Sequence, residues 1–125
     1  MPNHKVLIVE DEPIIAMLLG RIVEGTGASV ELAYNGEEAL TKIRQGKPDL
    51  MLLDLIMPVK SGEEVLQELA ADPELKDLPV IIITTKDRAV GLEQRSLLFL
   101  QKPFDPSEVK RLVREALGAS ESAQT

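Results

Sequence analysis

Two periodicities alternate along this chain. Runs of strand length are rich in aliphatic residues: KVLIVE (5–10), SVELAY (29–34), PDLMLLD (48–54), LPVIIITT (78–85) and SLLFLQ (96–101). Between them lie stretches whose apolar residues recur every three or four positions, as on one face of a helix. In EPIIAMLLGRIVEGTG (12–27) the repeat comprises Ile14, Ile15, Leu18, Leu19, Ile22 and Val23. GEEALTKIRQG (36–46), SGEEVLQELAAD (61–72), KDRAVGLEQR (86–95) and DPSEVKRLVREALG (105–118) follow, the fourth helix being weak, with Gly91 inside it. Punctuation supports these boundaries. Pro13 and Pro106 suit a first helical turn, where a missing N–H costs nothing. Asn35 is placed to cap the second helix, and Ser61/Glu64 and Asp105/Glu108 have capping-box spacing. Gly118 is placed to end the last helix, leaving residues 119–125 as a flexible tail.

Five strands alternating with five helices predict an α/β fold, a parallel sheet with helices on both faces. Right-handed crossovers leave few topologies. The doubly wound, flavodoxin-like order 2-1-3-4-5 is the leading one, and it opens a crevice at the carboxyl ends of strands one and three. A single domain over residues 1–118 accounts for all the elements.

Composition narrows the function. The net charge of −7 argues against non-specific binding to nucleic acid or anionic membrane, and three aromatic residues are too few for a base-stacking surface. No apolar run approaches the roughly 20 residues that span a bilayer. The first residues lack the pattern of a signal peptide, so a cytoplasmic location is expected. With no cysteine, thiolate metal sites and disulfides are excluded.

Polar residues collect at the strand ends. Strand one finishes in Glu10-Asp11-Glu12, strand three in Asp54, strand four in Thr84-Thr85 and strand five in Lys102-Pro103. A carboxylate after four apolar residues, as Asp54 is, is costly to bury unpaired, and such a group shifts its pKa or finds a cation. Lys102 supplies one positive charge against the three acids Glu10, Asp11 and Asp54. A hard divalent ion such as Mg²⁺ would offset the remainder, because it prefers carboxylate, water and phosphate oxygens. Such a set of groups suits phosphoryl transfer, with an aspartate able to act as the nucleophile. Glu12 reads as a solvated helix start, favoured by the helix dipole, and Thr85 as a strand end.

VLIVEDEP, LMLLDLIMPVKSGEEVL, LPVIIITT and FLQKPF, in this order from about Val6 to Leu117, resemble the receiver domain of two-component response regulators. The resemblance implies that Asp54 accepts a phosphoryl group from a histidine kinase or a histidine phosphotransfer protein. It implies that Asp11, Asp54 and the Ile56 carbonyl hold Mg²⁺, with Glu10 acting through water. Lys102 would hold a phosphoryl oxygen, Thr84 would be the switch hydroxyl, and Phe99 the aromatic that turns inward as Thr84 moves. The Lys102–Pro103 bond is expected to be cis. The expected partners are the phosphodonor and a downstream protein, without nucleic acid or membrane, the chain being a monomer or weak dimer and not an enzyme in the ordinary sense.

Three features depart from the family pattern. The segment from Thr84 to Lys102 is short by about one helical turn, Thr85 stands where a small alanine is usual, and Ile56 cannot orient a hydrolytic water. Slow self-dephosphorylation is the expectation from the last. Other readings are weaker. A Mg²⁺-dependent phosphatase with an aspartyl intermediate typically needs a second acid at position 56. A flavin module needs a phosphate loop rich in glycine, serine or threonine where EDEPII stands. A degenerate receiver acting as an adaptor is disfavoured because every site position is filled.

Overall fold

The computed structural model describes residues 4–57, 59–84 and 98–124. Its elements are β1 (Lys5–Val9), α1 (Pro13–Glu24), β2 (Ser29–Ala33), α2 (Gly36–Gln45), β3 (Leu50–Asp54), α3 (Gly62–Ala71), β4 (Val80–Thr84), β5 (Leu98–Gln101) and α4 (Pro106–Gln124). The strands form one parallel sheet in the order β2-β1-β3-β4-β5. The helix expected at 86–95 lies outside the described residues.

Alternation along each strand divides the core in two, because successive side chains leave opposite faces of a sheet. Leu7, Val9, Met51, Leu53 and Ile82 pack with Leu40 and Ile43 of α2 and Val65 and Leu69 of α3. Val6, Ile8, Leu50, Leu52, Ile81, Ile83 and Leu100 pack on the other side with Leu19 and Val23 of α1 and Val109, Leu112 and Val113 of α4. β1, β3 and β4 are buried on both faces, so they read as unbroken apolar runs.

Helix ends follow the side chains at hand. Asn35 accepts from the Glu38 amide at 2.8 Å, and Ser61 and Glu64 form a reciprocal capping box. At α4, Asp105 Oδ1 accepts from the Ser107 amide at 2.8 Å, but Glu108 pairs with Arg111. α1 starts at Pro13 after Glu12, whose side chain makes no capping bond.

Two features of the helices go beyond the pattern of the sequence. Of the six apolar repeats of α1, Leu19, Ile22 and Val23 are buried, whereas Ile14 is 82% and Leu18 49% exposed. Six residues cover more of the helix circumference than one sheet can meet, and the stripe chosen is Ala16–Leu19–Val23. The second concerns Gly118, which does not end the last helix: α4 runs through that glycine to Gln124. Alanine, glutamate and glutamine after it are good helix formers, and an internal glycine costs only about 1 kcal/mol relative to alanine.

The connection from β3 to α3 is tightly held. A Cβ on Gly62 would fall 2.3 Å from the Asp54 carbonyl oxygen, and one on Gly36 would fall 2.6 Å from the Lys60 carbonyl oxygen. Only glycine allows α3 to start so close to the end of β3. Lys60 is ion-paired with Glu68 of α3 and, at 3.6 Å, with Glu37 of α2. Between these anchors Val59 adopts φ = 69°, a left-handed conformation that is costly for a β-branched side chain.

Candidate functional site

Sheet register brings the acids together. Val9 pairs with Leu53, so the next residues, Glu10 and Asp54, emerge side by side at the carboxyl end of the sheet. Thr84 pairs with Gln101, which brings Lys102 in from β5, and the Lys102 amide donates to the Thr84 carbonyl at 2.9 Å. The Lys102–Pro103 bond is cis. The result is an open crevice of about 250 Å³ lined by Glu10, Asp11, Glu12, Asp54, Ile56, Thr84 and Lys102.

Glu10, Asp54 and Thr84 are the buried polar residues of the described chain. Carboxylate oxygens of Glu10, Asp11 and Asp54 lie within 4.8 Å of one another. Asp54 is held at both oxygens. Oδ1 accepts from the Ile56 amide at 3.1 Å, and Oδ2 accepts from Lys102 Nζ at 3.2 Å. Glu10 Oε2 accepts from the Glu12 amide at 3.2 Å. Its Oε1 stands 3.3 Å from Lys102 Nζ, but it accepts no hydrogen bond, so the contact is one of charge only.

One ammonium does not neutralise three acids. Burial first, and then the Asp54 charge, push the Glu10 carboxyl up to about 7. Burial pulls Lys102 down, but the Asp54 and Glu10 carboxylates outweigh it and hold its ammonium above the ordinary lysine value. An orphaned buried carboxylate oxygen, two neighbouring acids and no histidine or cysteine at the crevice suit a hard, oxygen-seeking cation. Of the residues singled out from sequence, Asp11, Asp54, Glu10, Ile56, Thr84 and Lys102 all reach this crevice. Phe99 does not line it. It lies partly buried against the cluster on the α2/α3 face of the sheet. Thr85 lies outside the described residues.

Sequence reasoning missed three features. Glu12 is an exposed helix start, as expected, but it also lines the crevice. Lys102 touches Glu10 as well as Asp54. Val59 is strained five residues past Asp54. Adjacency to Asp11 was a usable signal for Glu12; the backbone of Val59 left none.

Comparison with known proteins places the chain in a family. The family model for the response regulator receiver domain matches residues 6–114. The alkaline phosphatase synthesis transcriptional regulatory protein PhoP of Bacillus subtilis is 38% identical over 125 residues, which covers 97% of this chain and 51% of that protein. The DNA-binding response regulator MtrA of Mycolicibacterium smegmatis is 35% identical over 95% of this chain and 53% of its own length. The chain thus spans about half the length of these curated relatives. Expecting no nucleic-acid partner, from the charge of this chain alone, therefore finds no support in relatives named as transcriptional and DNA-binding regulators. A response-regulator structure from Chloroflexus aurantiacus superposes with a TM-score of 0.85 at 31% identity, covering 93% of this chain and 98% of the other. No described helix is long and apolar enough to cross a membrane.

Proposed function

Since the chain belongs to the response regulator receiver domain family, we propose that it is a phosphoacceptor switch and that Asp54 is its acceptor. The phosphoryl donor is a phosphohistidine on a kinase or phosphotransfer protein. An Asp54 oxygen attacks phosphorus, the phosphorus–nitrogen bond breaks, and the donor imidazole leaves with the electron pair. Lys102, 3.2 Å from Asp54 Oδ2, then binds a phosphoryl oxygen. Asp11, Asp54 and the Ile56 carbonyl would hold Mg²⁺, with Glu10 behind them; when bound, the ion offsets the charge of the acids and of the incoming phosphoryl group.

The phosphoryl group adds about −1.5 to −2 charges where Asp54 now stands. Thr84, at the end of β4 and on the crevice wall, moves to bond one of its oxygens. Phe99 on the adjacent strand follows it, changing the surface that a downstream protein reads. The observation that carries this reading is the convergence of three acids and one lysine from β1, β3 and β5 around one crevice. A phosphatase reading gains nothing from the apolar Ile56, which is 55% exposed at the crevice.

The test is incubation with Mg²⁺ and a small phosphodonor, followed by intact mass. The native chain gains one phosphoryl group; Asp54→Asn does not, and neither does the native chain in a chelator. A gain of mass that survives Asp54→Asn sinks the assignment.

A further inference from the structure

Glu12 is the fourth carboxylate of the crevice, beside Glu10, Asp11 and Asp54, and Lys102 is the one basic residue facing them among its described lining. Unlike Glu10 and Asp54, Glu12 is exposed. It precedes α1 directly, in the capping position, yet its side chain does not cap the helix. Asn35, Ser61 and Asp105 at the other three described helices all do. No hydrogen bond or ion pair engages the Glu12 carboxylate among the described residues. It stands at the wall of the crevice that holds Asp54.

We propose that Glu12 is a specificity-determining residue that disfavours free anionic phosphodonors at the Asp54 crevice. Clefts lined by one sign of charge alter the local concentration of small ions, and the effect scales with the charge of the ion. A donor carried on a protein surface is driven to the site by contacts outside the crevice, so a single charge at the mouth hinders it less. Glu12 thus biases the site toward protein-borne phosphoryl groups. This inference rests on the phosphoacceptor reading of Asp54. Glu12 acts on the approach of the donor and leaves the transfer itself to Asp54 and Lys102.

The test compares the native chain with Glu12→Gln at saturating Mg²⁺. Two donors are used: acetyl phosphate, a dianion at neutral pH, and phosphoramidate, which carries a single net negative charge. Attack by Asp54 releases acetate from the first and ammonia from the second. Initial rates are read by intact mass at low and at high ionic strength. Glu12→Gln is expected to speed transfer from acetyl phosphate about three- to tenfold at low salt, and from phosphoramidate by roughly the square root of that factor. Both gains shrink toward unity at about 0.5 M salt, where screening shortens the reach of a charge to a few ångströms. Glu12→Lys extends the trend. Equal rates in the native and Gln chains overturn the inference, as does a gain that ignores donor charge or salt. A native chain that takes up phosphoryl from neither donor overturns the phosphoacceptor reading, and this inference with it.

Discussion

Lys102 Nζ lies 3.2 Å from Asp54 Oδ2, and the same ammonium lies 3.3 Å from Glu10 Oε1. One cation therefore bridges the ends of β1 and β3 from β5. The lysine side chain is 30% exposed and the Glu10 side chain wholly buried. The bridge thus has a wet end and a dry end, and burial pushes the Glu10 carboxyl at the dry end up to about 7. Among the described residues three acids share one ammonium, so the side chains that line the crevice leave part of its charge unmet.

That unmet charge predicts the behaviour of Asp11→Asn. Like charges in a partly buried cluster repel, and Asp11 belongs to this cluster with no ion pair of its own among the described residues. Without metal, the variant should be more stable by about 1 kcal/mol, a rise in Tm of roughly 3–5 °C for a domain of this size. With Mg²⁺ the order reverses, because the native chain gains stability from binding and the variant does not. Melting curves in chelator and in Mg²⁺ check both halves. A variant less stable than the native chain in chelator would falsify the repulsion account.

Much of this was legible in the chain itself. The strand runs, their alternation and the connecting helices specify a doubly wound sheet, and that topology alone places Glu10, Asp11, Asp54, Thr84 and Lys102 at one edge. Register then does the rest, through Val9 opposite Leu53 and Thr84 opposite Gln101. Other features were not legible, for physical reasons. Ile14 and Leu18 match the helical repeat as well as Leu19 does, and only packing decides which stripe is buried. Gly118 resembles a stop signal, but helix propagation outweighs the cost of one glycine. The left-handed backbone of Val59 has no sequence mark at all, since valine is a residue that avoids it.

Val59 gives the second prediction. The residue is 79% exposed and gains little from packing, while its φ of 69° carries a cost of order 1–3 kcal/mol. Glycine removes that cost but loses about 0.5–1 kcal/mol to the entropy of the unfolded chain. Val59→Gly should therefore stabilise the domain by about 1 kcal/mol, read as a shift in urea midpoint at constant slope. Val59→Ala, which relieves branching but keeps a Cβ, should gain less. If alanine gains as much as glycine, the backbone strain is not the cause.

Asp105 sets a pH dependence outside the site. Hydrogen bonds from the Ser107 hydroxyl and amide, at 2.6 and 2.8 Å, hold its carboxyl below the ordinary aspartate value. A carboxyl lowered in the folded state stabilises above its unfolded pKa and loses that contribution as pH falls through the folded one. Asp105→Ala should lower Tm by a few degrees at neutral pH through the lost cap, with the gap from the native chain narrowing below about pH 4. Asp105→Asn keeps a capping oxygen without a titrating proton, so its own cap should not weaken over that range. Parallel melting curves for native and Ala chains across acid pH would remove Asp105 as the source.

Ile56 gives the last prediction, on the lifetime of the phosphorylated state. Once Asp54 carries a phosphoryl group, the bond is broken by water entering along the crevice. Ile56 stands two residues past Asp54, lines the crevice and is 55% exposed. An aliphatic side chain there has no donor or acceptor with which to align that water, and its bulk displaces other water from the mouth. The native phosphorylated chain should therefore persist for many minutes after the donor is removed. Ile56→Asn introduces one hydrogen-bonding group at that point. A single hydrogen bond contributes about 1 kcal/mol, which is about fivefold in rate if realised at the transition state. Loss of phosphoryl mass should quicken by roughly that factor in Ile56→Asn and remain slow in Ile56→Leu, which keeps the volume and the apolar surface. A native half-life of seconds, or equal decay in the Asn and Leu variants, removes Ile56 from control of the lifetime and points to the geometry of Lys102 and Thr84 around the phosphoryl group.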